Sequence, residues 1–441
     1  VSEIMSMADA LKEARRCLNC AKPGCRTGCP IENNIPQFIR ALRDGNLGTA
    51  YEIISERSNL PAICGRVCPH EKQCESHCVL ARNKNGIKVG SLERFIADFA
   101  HINGLKPIPP TTGERGSVAV IGSGPAGLTV AGDLAKMNFG VTVFEGMPEP
   151  GGVLMFGIPE FRLSKVVVRR EIDQLRHIGV VFKTGVLVGP DITVDDMFAQ
   201  GFDAIFMGTG TALPKTLDLP GKELAGIITA TYYLQMVVLV ENGKLDARET
   251  LLHDSDRILV IGAGNVAMDA ARTAIRRGAK SVTVVYHKTD KQVSAFPNEF
   301  TAAQKEGVQF EFLQSPTAYT AAADGSVGGL DVEEMVQTPE GKFKPTGKHK
   351  VIPCDRIILA IGQKPAARIV STTTGIRVDE RGFVITRERP YGMTTRAGVF
   401  SSGDVVHGPA TVVLAMRESK KVAAGIAQYV DAKHLLAECE E

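Results

Sequence analysis

The sequence predicts an α/β protein in which two Rossmann-like dinucleotide-binding domains follow a small α-helical module. Three observations predict it. A strand–glycine–helix–strand stretch, SVAVIGSGPAGLTVAGDLAKMNFGVTVFE, runs from Ser117 to Glu145, and a second copy, RILVIGAGNVAMDAARTAIRRGAKSVTVVYHK, runs from Arg257 to Lys288. Eight of the ten cysteines crowd between Cys17 and Cys78, leaving Cys354 and Cys439 alone.

In the first stretch an apolar strand, Val118 to Ile121, enters Gly122, Gly124 and Gly127 and then a helix. Gly122 permits the tight turn, Gly124 lets backbone approach a pyrophosphate, Gly127 lets helix and strand pack closely, and the helix N-terminus faces the phosphates. Glu145 ends the second strand, where a carboxylate accepts hydrogen bonds from a ribose. Strand, glycines, helix and acid in register make this a dinucleotide site rather than an ordinary βαβ unit.

The chain's 441 residues suggest two or three domains, and 44% hydrophobic content gives an ample core. With 51 basic against 49 acidic residues the formal charge is +2, so no net field recruits nucleic acid or an anionic membrane. No apolar run reaches the roughly 18 to 20 residues of a bilayer span. The segment VSEIMSMADALKEARR reads as an amphipathic helix without a signal-peptide core, and a cytoplasmic location is expected.

Clustered thiols in an otherwise average chain point to metal rather than disulfides. The first group reads Cys17-x2-Cys20-x4-Cys25-x3-Cys29-Pro30, and the second Cys64-x3-Cys68-x5-Cys74-x3-Cys78. Zinc modules favour two CxxC knuckles, and only one pair here has that spacing. Three close cysteines and then Cys-Pro match the ferredoxin layout in which the fourth thiolate crosses to a second cluster, so two 4Fe-4S clusters are expected, with a zinc module as the rival. Between the groups, IPQFIRALRDG and LGTAYEIISERSN have helical spacing, and SLERFIADFAH, Ser91 to His101, reads as a helix closing near Gly104. So few apolar residues need the clusters to hold a fold. The Pro/Gly-rich stretch from Gly104 to Gly116 reads as a linker.

After Glu145, the pairs Gly151-Gly152 and Gly157-Ile158-Pro159 would let backbone approach a planar ligand. No cysteine lies between Cys78 and Cys354, so electrons cannot leave by a dithiol beside a flavin. In the second copy, VIGAGNVA lies on VIGSGPAG with Ala267 in the third glycine position. No acid stands at the ribose position. Val285-Tyr286 is followed by His287, Lys288 and Lys291, which would attract a 2′-phosphate and favour NADP(H) over NAD(H). Near the end, IILAIGQKP, Ile357 to Pro365, reads as a buried strand. From Gly398 the chain gives a strand, then Gly403-Asp404, then a helix opening near Thr411, whose N-terminus can stabilise an anionic flavin.

The order of cysteine-rich module, VIGSGPAG, GG..FGIP, VIGAGNVAMD, AIGQ and SSGD resembles the glutamate synthase small (beta) subunit family. It is also similar to the large subunit of NADH-dependent ferredoxin:NADP oxidoreductase and to the N-terminal half of dihydropyrimidine dehydrogenase. The resemblance covers nearly the whole chain. It implies two 4Fe-4S clusters, one FAD, and an NADP domain inserted in the FAD domain, the chain feeding electrons to a partner subunit. That partner would be a glutamate synthase large subunit, or a ferredoxin- or NADH-linked flavoprotein subunit, and in the second relative electron bifurcation enters.

The resemblance also implies domains at 1–105 (clusters), 106–252 and 355–441 (FAD) and 253–354 (NAD(P)). By the same resemblance Cys17, Cys20, Cys25 and Cys78 hold one cluster, and Cys29, Cys68 and Cys74 the other, with Glu93 of Gly90-Ser91-Leu92-Glu93 as its fourth ligand and Cys64 spare. The rival reading has Cys64 complete the cluster. FAD would lie on Gly122, Gly124, Pro125, Ala126, Gly127, Glu145, Gly152 and Leu154, closed by Gly403, Asp404 and Thr411. The coenzyme would meet Gly262, Gly264, Asn265, Val266, His287, Lys288 and Lys291. NADP-specific relatives carry Arg-Arg where this chain has His287-Lys288, which keeps NAD(H) open, because lysine lacks the bidentate fork and histidine is only partly charged.

Hydride transfer between nicotinamide and flavin needs stacking and exclusion of water, so no catalytic acid or base is expected. The flavin would split the hydride's electron pair into the single electrons that clusters accept. A redox-silent FAD- and zinc-binding assembly protein is the alternative from another class, and it would show no flavin bleaching with NADPH.

Overall fold

The computed structural model describes residues 4–107, 113–246, 256–366 and 368–440. The chain forms two compact units. The first comprises Val1–Met155, Glu160–Ala212 and Lys364–Glu441, and the second comprises Phe156–Pro159 and Leu213–Gln363.

The first unit begins with the helical module. Ser6 caps the helix Met7–Arg15, its hydroxyl accepting from Asp9 N at 3.2 Å. Pro36 opens the helix Ile35–Arg43, whose missing N–H costs nothing in a first turn. Helices Leu47–Arg57, Pro61–Val67 and Val89–Ile102 follow. The last starts ahead of Ser91 because distant carboxylates cap it. Glu13 Oε1 accepts from Lys88 N at 2.9 Å and Glu75 Oε1 from Gly90 N at 3.0 Å, where no local side chain does. Phe38, Ile39, Leu42, Ile54, Leu92 and Ile96 form the core, and Cys17, Cys25, Cys29 and Cys78 pack against it. A small apolar centre thus leans on its cysteines, as the low apolar content requires.

The same unit holds a seven-stranded sheet in the order Thr386–Glu388, Tyr391–Thr394, Val399–Ser401, Ala204–Met207, Ser117–Ile121, Gly140–Glu145, Val181–Thr184. The last five strands are parallel. Their carboxyl ends bring the loop after Ile121 and the loop after Ser401 to one edge, the usual place for a ligand in such sheets. Polar bonds fasten the helical module to this sheet. Asn59 Nδ2 donates to Asp133 Oδ1 (2.8 Å) and Thr129 O (3.1 Å), while Lys420 pairs with Asp133 at 2.7 Å. Asp98 receives Arg66 at 2.7 Å and Arg170 at 2.8 Å.

The second unit carries a parallel five-stranded sheet, Ile227–Thr229, Arg356–Leu359, Arg257–Ile261, Ser281–Tyr286, Gln309–Phe312. An antiparallel sheet of Gln314–Ala321, Val327–Gln337 and Phe343–Pro353 joins it. Here the structure differs from the sequence-based division. The strand read at Ile357 pairs with both Ile227–Thr229 and Arg257–Ile261, so it belongs to this unit, which spans more than 253–354. The boundary at 252/253 and part of the Gly104–Gly116 linker lie outside the described residues. No helix among the described residues is long and apolar enough to cross a membrane.

Candidate functional site

The first glycine loop is locked by contacts that leave no room for side chains. Gly122 has φ +91° and its N–H donates to Phe144 O at 2.8 Å. A Cβ on Gly127 would stand 1.9 Å from Gly122 O, one on Gly152 2.8 Å from Gly124 Cα, and one on Gly403 2.8 Å from Ala126 Cβ. Thus Gly122, Gly124, Pro125, Ala126, Gly127, Gly152 and Gly403 come together, as a shared ligand requires. Gly124 is the N-cap of the helix Pro125–Lys136 and supplies no side-chain cap, so the first-turn N–H groups stay available to an anion.

Glu145, buried at the strand's end, accepts from Ser123 N (3.0 Å), Met147 N (2.8 Å) and the Ser123 hydroxyl. That hydroxyl in turn accepts from Gly151 N at 2.8 Å. Ser123 therefore ties the acid to the Gly151-Gly152 turn, a role missed in the sequence, although a hydroxyl inside the fingerprint was the available signal. Gly208, whose carbonyl would lie 2.8 Å from a Gly122 Cβ, was missed as well. Leu154 is fully buried, and its carbonyl accepts from Lys165 Nζ at 3.0 Å. Burial pushes the Asp404 carboxyl up to about 6. At the start of the helix Val412–Glu440, the Thr411 hydroxyl is buried without a partner. An orphaned hydroxyl at a helix start is a group that a bound ligand such as FAD would satisfy.

The second loop repeats the pattern more loosely. Gly262 has φ +115°, its N–H donates to Val285 O at 3.1 Å, and a Cβ there would lie 2.5 Å from Ala360 O. Gly264 caps the helix Asn265–Arg276 without a side-chain bond, Asn265 Oδ1 accepts from Phe296 N at 2.8 Å, and Val266 is exposed. Beyond the strand, the Tyr286 hydroxyl donates to Gln292 O at 2.9 Å, and its ring meets His287 edge-on with centroids 5.0 Å apart. Burial and then Lys288 hold His287 below the usual imidazole range, so it offers a hydrogen bond rather than a charge. Lys288 and Lys291 form no ion pair among the described residues.

The cysteines fall into two sets. Cys17, Cys20, Cys25 and Cys78 line one small hollow together with Leu18, Ile39 and Val79. Burial, with Cys17 and Cys78 nearby, pushes the Cys25 thiol up to about 11. In the second set burial pushes Cys29 up to about 11, with Glu93 and Cys64 close by. Cys68 is raised by its hydrogen bond with Cys64 and by burial, and Cys74 by burial and then by Cys29, Glu75 and Glu93. Burial lifts Glu93 to about 8, and its carboxylate forms no hydrogen bond or ion pair among the described residues. Such donors become anions only when a cation sits among them. No three His, Cys, Asp or Glu among the described residues converge to hold one bare ion. The spread of the first set around a hollow suits a polynuclear cluster better than a zinc ion. Cys64 faces both ways: it lies near Cys29 and Cys68, and its Sγ stands 3.6 Å from Met416 Sδ and 3.8 Å from Ser58 Oγ.

Comparison with known proteins agrees with this picture. Residues 1–105 match the family described as dihydropyrimidine dehydrogenase domain II, 4Fe-4S cluster, and residues 116–419 match pyridine nucleotide-disulphide oxidoreductase. The glutamate synthase [NADPH] small chain of Halomonas elongata is 36% identical over 96% of this chain and 91% of its own length. That of Escherichia coli K12 is 32% identical over 98% of this chain and 93% of its own. Among solved structures, Mycobacterium tuberculosis FprA in complex with NADPH shares the fold, with a TM-score of 0.60 and 18% identity over 73% of this chain and 86% of that one.

Fold and loops together define an NAD(P)H-dependent FAD and iron–sulfur oxidoreductase. Within that class, the chain belongs to the glutamate synthase small-chain family.

Proposed function

We propose that this chain is the electron-input subunit of a two-subunit cytoplasmic enzyme, moving electrons from NADPH to a larger partner of the glutamate synthase large-subunit type. The observation that carries the proposal is that both cysteine sets and the first glycine loop lie in one compact unit. A flavin site with no dithiol but with two thiol sets at hand is built to pass electrons onward. When bound, FAD would supply the step from electron pairs to single electrons, and the clusters would carry those singly. The chain's own residues bind and orient. The uncapped turn after Gly124 and the acid Glu145 would hold the FAD pyrophosphate and ribose, with Asp404 and Thr411 at its other end. In Leu213–Gln363, Gly264 and Asn265 would receive the coenzyme pyrophosphate, and Lys288 and Lys291 its 2′-phosphate.

Cys17, Cys20, Cys25 and Cys78 would hold the first 4Fe-4S cluster, and Cys29, Cys68, Cys74 and Glu93 the second. Glu93 is preferred to Cys64 because its buried carboxylate has no hydrogen-bond or ion-pair partner among the described residues, whereas Cys64 already packs on Met416 and Ser58. Anaerobically purified protein is expected to contain about eight irons per chain, the sum of two four-iron clusters. Zinc in place of iron would overturn the reading. Iron retained in Glu93→Ala but lost in Cys64→Ser would move the fourth ligand to Cys64.

A further inference from the structure

A knot of charge joins the helix that carries Glu93 to the helix that carries Cys64. Arg66 Nη2 lies 2.7 Å from Asp98 Oδ2, Arg170 Nη2 lies 2.8 Å from Asp98 Oδ1, and Arg94 Nε lies 3.7 Å from Asp98 Oδ2. None of the three arginine side chains is more than 15% exposed. Buried Glu171 completes the knot, 4.0 Å from Arg170 Nε. His101 faces Arg170 and Asp98, and burial and then Arg170 hold it below the usual imidazole range, so it adds little charge. Three guanidinium groups thus meet two carboxyl groups, and the knot keeps at least one unit of positive charge, since arginine stays protonated.

This knot abuts the second thiol set. Arg94 follows Glu93 in the chain, and Arg66 lies between Cys64 and Cys68, on the helix Pro61–Val67 that Cys68 ends. The two helices cross so closely here that a Cβ on Gly65 would stand 2.6 Å from Arg94 N. Glu171 lies near enough to Glu93 to join burial in raising its carboxyl. On another side of the set stands Glu75, which accepts from Gly90 N at 3.0 Å and is raised by burial. The first set has a different neighbour: Arg43, which faces Cys17, is partly exposed and pairs with Asp44 at 3.3 Å.

We infer that Arg66, Arg94 and Arg170 set the reduction potential of the second cluster, raising it above what Cys29, Cys68, Cys74 and Glu93 alone would give. Gaining one electron makes a cluster and its ligands one unit more negative, and a fixed cation nearby stabilises that added charge. Out of water the field is screened weakly, so buried guanidinium groups act more strongly than an exposed, paired one such as Arg43. Asp98 is the counterweight that gathers the arginines, and its own charge works against theirs. The inference rests on the assignment of the second cluster under Proposed function and adds to it the residues that tune that cluster through their field.

The test is a redox titration of the whole chain, purified anaerobically with its iron and FAD, using dithionite and ferricyanide and read by electron paramagnetic resonance. Glu93→Cys, which offers the second cluster a fourth thiolate, marks which signal belongs to it. Arg66→Gln removes one positive charge. At a fixed potential the ratio of reduced to oxidised second cluster should then fall about tenfold, a downward shift of about 59 mV for one electron. Arg66→Lys keeps the charge and should return the potential toward that of the unaltered chain. Asp98→Asn removes a negative charge from the same place and should shift the potential upward, an opposite sign that the loss of a merely structural clasp would not produce. The first cluster should move far less in each variant, and iron content and flavin reduction by NADPH should match the unaltered protein. If Arg66→Gln and Asp98→Asn leave the potential unmoved, move it in the same direction, or both lose the second cluster's iron, the inference falls. If the unaltered protein holds no iron, the cluster assignment falls and the inference with it.

Discussion

The two glycine loops share a strand–turn–helix plan and part company in two places. In the first, Gly127 sits so close to Gly122 O that any side chain would collide; in the second, Ala267 fills the matching position fully buried. The first strand pair ends on Glu145, which accepts bonds from Ser123 and Met147 inside the protein, and the second ends on exposed His287 beside Lys288. One loop is tight and sealed by its own acid, and the other is roomier and ends in water. That contrast fits a resident cofactor on the first and a coenzyme that comes and goes on the second.

Exchanging the small residues tests the contrast most severely. Gly127→Ala forces backbone apart and is expected to cut bound flavin roughly tenfold or more, whereas Ala267→Gly should cost only about 1 kcal/mol of stability and leave coenzyme use intact. Flavin-to-protein ratios and thermal melts read both; equal damage from the two would erase the distinction. Next in size is Glu145→Ala. It strips the acceptor from the Ser123 and Met147 N–H groups, at about 1–3 kcal/mol for each buried donor left unpaired. Flavin should then be lost on dilution, with NADPH half-saturation unchanged.

A smaller effect is expected at the open loop. His287→Ala with Lys288→Ala should raise the NADPH half-saturation for flavin reduction by about tenfold and leave NADH unmoved, the lost hydrogen bond and the lost charge contact together being worth roughly 1.4 kcal/mol. A parallel loss with NADH would mean these residues shape the loop and do not read the phosphate.

The smallest concerns Asp404, whose folded pKa is raised from 3.8 to about 6. Between those values the folded state holds the proton more tightly than the unfolded chain, so stability of the flavin-free protein declines as pH rises from about 4 to about 6 and then levels. Asp404→Asn should flatten that part of the melting profile; an unchanged slope would place the titration elsewhere.

What was legible in the sequence was what neighbours in the chain enforce. The glycines announce both loops because each is demanded by a turn or contact within one βαβ unit, whereas the cysteine spacing gives two groups along the chain, and only the family resemblance places Cys78 with the first and Cys29 with the second. What escaped depends on distant residues. The strand at Arg356–Leu359 looks like any buried strand until its partners Ile227–Thr229 and Arg257–Ile261 are known. The start of the helix at Val89 depends on Glu13 and Glu75. The place of Cys64 depends on Met416, far along the chain.

The triad of Asn59, Asp133 and Lys420 makes the Pro/Gly-rich stretch a seam in the sequence but not in the molecule. Asn59 and Asp133 are each buried, so removing the module would uncover both, leaving the carboxylate to Lys420 and taking from the amide its acceptors Asp133 and Thr129. The helical module is therefore not a detachable cartridge. Any lineage or engineer that moved it onto another reductase would have to carry along the faces of two helices, Pro125–Lys136 and Val412–Glu440, on which it is buttoned. The thiol sets and the first glycine loop are then expected to be inherited, and to melt, together.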